Sequence, residues 1–236
     1  MKLLKNPLIL ALDVDKSDEA FRVLEPIQDL IGGVKLGPRL VNRYGSDFVG
    51  QVAKCAPVFI DNKYFDIPST MKASVQTSFD AGATLVTVHA LAGLQALAEL
   101  AQLEKELNLI RPFKILAVTI LTSWDKSSLP SNFHPWSIQD HVRSLADLVY
   151  QSGLRGVVCS GHELEIISQK DIYKVVPGIR LTDRNAETVN TQDQKRIMTP
   201  QLALKNGAQA LVVGRPILEA RDPRKMVLEI LESCSI

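Results

Sequence analysis

Eight short apolar runs, separated by longer stretches with helical spacing, constrain the fold of this chain more than any other feature. The runs lie at residues 8–14, 33–37, 58–65, 84–90, 114–120, 156–160, 173–178 and 210–215. Parallel strands that are buried on both faces have this composition, and crossover helices join them. A closed barrel needs eight such units, so the pattern predicts an α/β fold of the (β/α)8 TIM-barrel type.

The main structural alternative is an open, doubly wound sheet, in which about five or six strands are usual. No GxGxxG follows the first run, and the chain offers eight units, which favours the barrel. With 236 residues, 46% of them hydrophobic, residues 1–236 are expected to form one domain. Between the first two runs, Ser17 is predicted to cap a helix that continues to Gly32 and Gly33, although Pro26 interrupts it.

Charge and cysteine content limit the partners and the location. Lys and Arg number 27 against 26 Asp and Glu, so no overall field favours nucleic acid or an anionic membrane, and a small-molecule partner is expected. The three cysteines, Cys55, Cys159 and Cys234, form no CxxC pair and are interpreted as reduced residues of a cytoplasmic protein. The N-terminal apolar run is too short for a signal peptide or a membrane span.

Ionisable residues interrupt strands that should be apolar. In DNKYFD, Asp61 and Lys63 are two residues apart and share a face of the strand, while Asp66 follows at its exit. Asp13 closes the first run, and Lys35 lies within the second. Burying so many charges on adjacent strands is unfavourable unless they pair, so the cluster predicts catalysis at the C-terminal rim of the barrel.

Structural interpretations compete with catalytic ones at several of these positions. Asp61 and Lys63 could form a purely structural ion pair, and Asp66 could cap the helix that begins after it. His89 could be a ligand at the rim, but a lone histidine there is as often a satisfied structural residue, and no catalytic role is assigned to it.

A separate pattern predicts a phosphate site. The seventh run continues into Gly178 and Arg180, and the eighth ends in Gly214 and Arg215. Barrels commonly bind phosphate after these two strands, with backbone N–H groups and a basic side chain. The polar segment 181–198 is too long for an ordinary connection and is predicted to be a mobile loop that closes over the phosphate.

Taken together, the segments ALDVD, KLG, DNKYFDIPST, TVHA, LTS, PGIR, DQKRIMTP and VVGRPI resemble orotidine 5′-monophosphate decarboxylases of the bacterial form. The resemblance runs from Asp13 to Arg215, and DxKxxDIPxT is its most specific element. It implies decarboxylation of orotidine 5′-monophosphate to uridine 5′-monophosphate in pyrimidine biosynthesis. It also implies a homodimer with shared active sites.

The resemblance implies a role for each matching residue. Lys63 would be the general acid, Asp61 would lie beside the substrate carboxylate, and Lys35 and Asp13 would hold the ribose. Asp66 and Thr70 would reach into the partner's site, and Thr122 would contact the pyrimidine. The phosphate would be held by Arg180, Gln194, Gly214 and Arg215, with Gln194 carried by the closing loop.

Two departures from the family pattern are Ser69, where Asn is usual, and Asn62, where a hydrophobic residue is common; alternation directs Asn62 away from Asp61 and Lys63. A related subgroup, the 3-keto-gulonate 6-phosphate decarboxylases and hexulose phosphate synthases, binds Mg²⁺ through a glutamate where this chain has Lys35. A catalytically silent phosphate-binding barrel is a further alternative, which an intact Lys63 disfavours. Neither a pyridoxal-binding lysine motif nor a metal cluster is recognised, so no cofactor or metal is expected.

Overall fold

The computed structural model describes residues 3–125, 127–169, 171–181 and 198–234. These residues form a closed barrel of eight parallel strands in sequential order, so the predicted TIM-barrel class is confirmed. The strands are β1 (Leu8–Ala11), β2 (Gly33–Leu36), β3 (Val58–Tyr64), β4 (Ala83–His89), β5 (Lys114–Val118), β6 (Gly156–Val158), β7 (Tyr173–Pro177) and β8 (Ala210–Val213).

Every predicted apolar run corresponds to one of these strands, although β4 begins one residue before its run, and every strand ends one to three residues before its run does. The residues left over lie in the loops at the carboxyl ends of the strands. Asp13, Gly37 and Gly214 are among them, which is why polar groups and glycines gather at this rim.

Eight helices lie within the described residues. They are α1 (Ser17–Leu24), α2 (Pro38–Ala53), α3 (Pro68–Asp80), α4 (Gly93–Asn108), α5 (Ile138–Ser152), α6 (Pro200–Lys205), α7 (Arg215–Leu218) and α8 (Pro223–Ser233). Short 3-10 turns occupy Ala90–Ala92 and Gly161–Glu163. Within the described part, none of these helices is both long and apolar enough to cross a membrane.

The first helix is shorter than the sequence pattern predicts. It ends at Leu24, two residues before Pro26, because proline removes a backbone donor and collides with the preceding turn. The prediction that Ser17 is the N-cap is wrong: Lys16 holds that position in an extended conformation without a side-chain cap, and Ser17 is the first helical residue. Asp18 and Glu19 lie in the first turn, where a helix favours negative charge.

Two apolar clusters make up the core. The larger one fills the space between the barrel and its helices. The smaller one lies inside the barrel and takes alternate residues of the strands, including Ile9, Ala11, Phe59, Leu85 and Leu116. Because side chains alternate along a strand, the next residues on this inward row, nearer the rim, point into the mouth of the barrel.

Candidate active site

Four charged side chains form a row of alternating sign at the mouth of the barrel. The ammonium of Lys35 lies 3.1 Å from Oδ1 of Asp13 and 3.7 Å from Oδ2 of Asp61. The ammonium of Lys63 donates to Oδ1 of Asp61 at 2.9 Å. The loop after β1 and the neighbouring strands β2 and β3 thus supply one continuous chain of ion pairs, in which each carboxylate or ammonium faces a partner of opposite charge.

The backbone of β3 is distorted where this row is built. The pairing of β3 with β4 shifts between Ile60 and Tyr64, which is a β-bulge. Inside it, Lys63 has φ 49°, and no other non-glycine residue among those described has a positive φ. A lysine in this region is strained by about 1–3 kcal/mol and persists only where its surroundings hold it. The bulge turns the Lys63 side chain into the barrel mouth beside Asp61.

Asp61 is kept ionised by its neighbours. Burial of the carboxyl raises its pKa, but the charges of Lys63 and Lys35, together with hydrogen bonds from Lys63 and Thr87, outweigh burial and hold the pKa below its ordinary value. An ionised carboxylate in turn keeps the two ammonium groups in place. The row is therefore a preorganised electrostatic site rather than a reservoir of neutral groups.

A cavity of about 630 Å³ opens above this row, large enough for a nucleotide-sized ligand. Eight of the predicted site residues line it: Asp13, Lys35, Asp61, Lys63, Thr122, Arg180, Gly214 and Arg215. Five cationic side chains and two carboxylates are found among the described lining residues, so the cavity suits a strongly anionic ligand.

One side of the cavity has the features of an anion site. Gly178 has φ 77°, a conformation that glycine adopts readily, and it leads to Arg180, whose N–H donates to the carbonyl of Met198 at 3.0 Å. A Cβ on Gly214 would lie 3.2 Å from the Cβ of Ala11, so glycine permits β8 to approach β1 closely. Arg215 follows at the first position of α7, and its side chain lines the cavity.

Asp66 and Thr70 do not line the cavity of their own chain. Both are exposed, and the only hydrogen bond that Asp66 accepts from a described residue comes from the N–H of Ile67, at 2.6 Å. The N-cap of α3 is Ile67, which has no side-chain cap, so Asp66 is not the helix cap that was considered as an alternative. Gln194 and most of the predicted closing loop lie outside the described residues.

His89 and Asn62 have structural surroundings. Nδ1 of His89 accepts the N–H of Leu91 at 3.3 Å, and burial together with the charge of Lys63 lowers the pKa of the imidazole, which favours its neutral form. Asn62 points away from the cavity, as alternation predicts, and donates to the hydroxyl of Tyr64 at 3.1 Å. Its Oδ1 is buried without a hydrogen-bond partner in the described part of the chain.

Two residues of this region were not predicted from the sequence. Arg39 lines the cavity from the first turn of α2, and its guanidinium lies 3.5 Å from Asp15. Thr87 on β4 donates to Asp61 and accepts from the backbone of Lys63. Its position could have been found by strand alternation, because it stands two residues before His89 on the same inward row.

Comparison with known proteins identifies the family of this chain. The family model described as "Orotidine 5'-phosphate decarboxylase / HUMPS family" matches residues 6–230. The chain is 37% identical over 230 residues to an orotidine 5′-phosphate decarboxylase of Erythrobacter litoralis, with 96% of this chain and 98% of the relative covered. It is 35% identical over 228 residues to one of Legionella pneumophila strain Paris, with 95% and 97% covered.

Solved structures share the fold over the whole chain. The crystal structure of orotidine 5′-phosphate decarboxylase from Lactobacillus acidophilus has a TM-score of 0.79 and 30% identity, covering 98% of this chain and 100% of its own. An uncharacterized conserved protein from Geobacillus kaustophilus has a TM-score of 0.80 and 27% identity, covering 97% and 100%. The barrel fold is therefore shared with chains of nearly the same length.

Proposed function

The chain belongs to the orotidine 5′-phosphate decarboxylase / HUMPS family, and from this premise we propose that it converts orotidine 5′-monophosphate to uridine 5′-monophosphate and CO2 in pyrimidine biosynthesis. It is an enzyme of the carboxy-lyase class. The observation that carries the proposal is the row Asp13, Lys35, Asp61 and Lys63, whose two ammonium groups alternate with two carboxylates inside one cavity.

The charge of the cavity supports this substrate. A nucleoside monophosphate that also bears a ring carboxylate carries about three negative charges near neutral pH. Arg180, Gly214 and Arg215 line the side of the cavity after β7 and β8, and we assign the phosphate to them. Asp13 and Lys35 would then hold the ribose hydroxyls, and Thr122, in the loop after β5, would contact the pyrimidine.

In the proposed reaction, the bond between C6 and the carboxylate breaks and its electron pair stays on C6. The ammonium of Lys63 stabilises this developing carbanion and then transfers a proton to it, and the resulting amine regains a proton from water. Asp61 holds the ammonium at 2.9 Å and lies beside the departing carboxylate. As the neutral CO2 leaves, the negative charge of the carboxylate moves to C6, away from Asp61 and toward the Lys63 ammonium, so the site is better matched to the transition state than to the substrate.

Lys35 supports a decarboxylase of this kind over the Mg²⁺-dependent subgroup of the family. Its ammonium lies between the carboxylates of Asp13 and Asp61, at 3.1 and 3.7 Å. A divalent cation would need these same oxygens as ligands, and the ammonium repels it. The arrangement instead uses a fixed lysine charge where the related enzymes use a metal.

We also propose that the enzyme is a cytoplasmic homodimer in which Asp66 and Thr70 enter the partner's active site. Both residues are exposed in the single chain, and Phe65 and Ile67, on either side of Asp66, leave 61% and 64% of their surface exposed. Leu91 and Leu94 add further exposed apolar surface, and apolar patches of this kind are typical of subunit interfaces. The three cysteines are free, which fits a reducing compartment.

The activity is tested by mixing purified protein with orotidine 5′-monophosphate and EDTA and following the pyrimidine absorbance. We expect turnover by the wild type and its loss in Lys63→Ala. Lys225→Ala, which removes an exposed lysine of α8, is the matched control and should behave as wild type. An inactive wild type, or full activity in Lys63→Ala, would refute the proposal. Turnover of 3-keto-gulonate 6-phosphate with Mg²⁺ would indicate the related subgroup instead.

Sharing of active sites is tested by complementation. Lys63→Ala and Asp66→Asn subunits should each be inactive alone, and mixed dimers should regain activity, because one of their two sites has both residues intact. Heterodimers verified by mass spectrometry that stay inactive would contradict the shared site.

A further inference from the structure

Thr87 is completely buried next to the row of charged side chains, and it does not line the cavity. It lies on the inward face of β4, between Leu85 and His89, and none of its surface is exposed. It is not among the residues that line the cavity, so any effect on the reaction must pass through its neighbours. Those neighbours are Asp61 and Lys63, both of which hydrogen-bond to the hydroxyl of Thr87.

The hydroxyl makes two hydrogen bonds whose directions are fixed. The backbone N–H of Lys63 donates to it at 2.8 Å, and it donates to Oδ1 of Asp61 at 3.0 Å. A backbone N–H can only donate and an ionised carboxylate can only accept, so the hydroxyl proton must point at Asp61. The same Oδ1 accepts the Lys63 ammonium at 2.9 Å, and the three residues therefore form a closed ring of contacts.

This ring spans the bulge in β3. Ile60 pairs with Val86 and Tyr64 pairs with Val88, so three residues of β3 face Thr87 alone. Where the strand ladder is broken, the threonine hydroxyl takes the place of a backbone acceptor for the Lys63 N–H. Lys63 needs such an anchor, because its φ of 49° is strained for a residue with a side chain.

We propose that Thr87 is a positioning residue for the reaction, holding the carboxylate of Asp61 and the strained backbone of Lys63 in one fixed geometry so that the ammonium is aimed at C6. This inference rests on the proposed function. A hydroxyl is the smallest group that can both accept from the backbone and donate to the carboxylate at this distance. Valine has the same shape but can do neither.

The test compares Thr87→Val with wild type in steady-state turnover of orotidine 5′-monophosphate. We expect kcat to fall by about 10- to 100-fold, because a misplacement of about 1 Å costs up to that much, while KM changes little because Thr87 does not line the cavity. Asp61 also loses a donor, so its pKa rises and the acid limb of the pH–rate profile moves to higher pH.

Thr119→Val is the matched control. Thr119 is equally buried, and within the described part of the chain its hydroxyl donates only to the carbonyl of Val158, at 3.5 Å. We expect this variant to keep the wild-type kcat and the wild-type acid limb. A purely structural effect of losing a buried hydroxyl would alter stability in both variants but would move the acid limb in neither.

A second pair keeps the proposal testable if Thr87→Val does not fold. Thr87→Ser and Thr87→Ala both lose the methyl group and differ only in the hydroxyl, so serine should retain most of the wild-type kcat and alanine should not. Equal kcat values and equal pH profiles in this pair, with an active wild type, would overturn the positioning role alone. An inactive wild type would refute the proposed function, and the positioning role would fall with it.

Discussion

The two ends of the barrel each hold a largely buried carboxylate that faces lysine. The pKa values of these two carboxylates are shifted in opposite directions. At the rim, 16% of the Asp61 side chain is exposed, and at the opposite end, 12% of the Glu104 side chain is exposed. The pKa of Asp61 is held below its ordinary value. Burial raises the pKa of Glu104 above its ordinary value, although Lys114 and the N–H of Ile115 act against the rise.

The number of nearby ammonium groups explains the difference. Asp61 has Lys63 at 2.9 Å and Lys35 at 3.7 Å, whereas in the described part of the chain Glu104 has one ammonium partner, Lys114 at 3.6 Å, and the more remote charge of Arg155. Burial is the largest influence on the pKa of each carboxyl; one lysine leaves it dominant, whereas two lysines, with hydrogen bonds from Lys63 and Thr87, reverse it. The second lysine is therefore what separates a reactive, charged site from a structural ion pair.

The largest expected effect comes from making the rim resemble the other end. Lys35→Met leaves Asp61 with one lysine, so burial should dominate and the pKa of the carboxyl should rise. We expect kcat to fall by about 10²–10³-fold, the usual effect of removing one preorganised charge from an active site. The acid limb of the pH–rate profile should move to higher pH, which steady-state assays across a pH series would measure.

Lys5→Met serves as the control for Lys35→Met, because Lys5 is exposed and its ammonium donates to the backbone carbonyls of Gln28 and Asp29, away from the cavity. It should leave both kcat and the acid limb unchanged. If Lys35→Met lost activity with no movement of the acid limb, the lysine count would not be what controls Asp61.

The second prediction removes the single lysine at the other end. Lys114→Met leaves the carboxylate of Glu104 without its ammonium partner, and we expect the free energy of unfolding at pH 7 to fall by about 3 kcal/mol. A raised folded-state pKa favours folding below the unfolded value and weakens it as pH rises through the folded value. The deficit should therefore shrink as pH falls toward the range where Glu104 is protonated.

Urea unfolding of Lys114→Met and wild type at pH 7 and at pH 5 measures this deficit, and kcat should not change because the pair is far from the cavity. A deficit that grew at acidic pH would contradict the assigned direction. So would a large loss of activity in a fully folded variant.

Most of the barrel could be predicted because its strands are buried on both faces. Such strands appear in the sequence as continuous apolar runs without alternating polar residues, and each run corresponds to one strand. The boundaries were less accurate where a local clash decides them. Pro26 shortened α1, and no periodicity could show that Lys16 rather than Ser17 would be its N-cap.

The site could be predicted where it follows from the alternation of side chains along a strand. Asp61 and Lys63 are two residues apart and do meet, and Lys35 lies on the neighbouring strand within reach of both acids in the row. Thr87 was missed because a single threonine in an apolar strand is unremarkable by composition. The positive φ of Lys63 was also unpredictable, since it occurs inside a β-bulge that the spacing of residues along β3 does not reveal.

The smallest expected effect concerns the exposed end of the row. Asp13 leaves 53% of its side chain exposed, so its attraction to Lys35 is screened by water. Asp13→Asn keeps an oxygen that can accept from Lys35 at the same position but removes the charge. We expect kcat/KM to fall by about tenfold, or about 1.4 kcal/mol, chiefly through weaker binding of the substrate.

Asp13→Asn is also the sharpest check on the comparison between the two ends, because it changes the row without changing the number of lysines near Asp61. The acid limb should not move to higher pH, since Lys35 and Lys63 remain beside that carboxylate. Asp15→Asn, on the exposed pair with Arg39, provides a control outside the row. An upward shift in Asp13→Asn as large as that in Lys35→Met would mean that the order of the whole row, rather than the lysine count, sets the charge of Asp61.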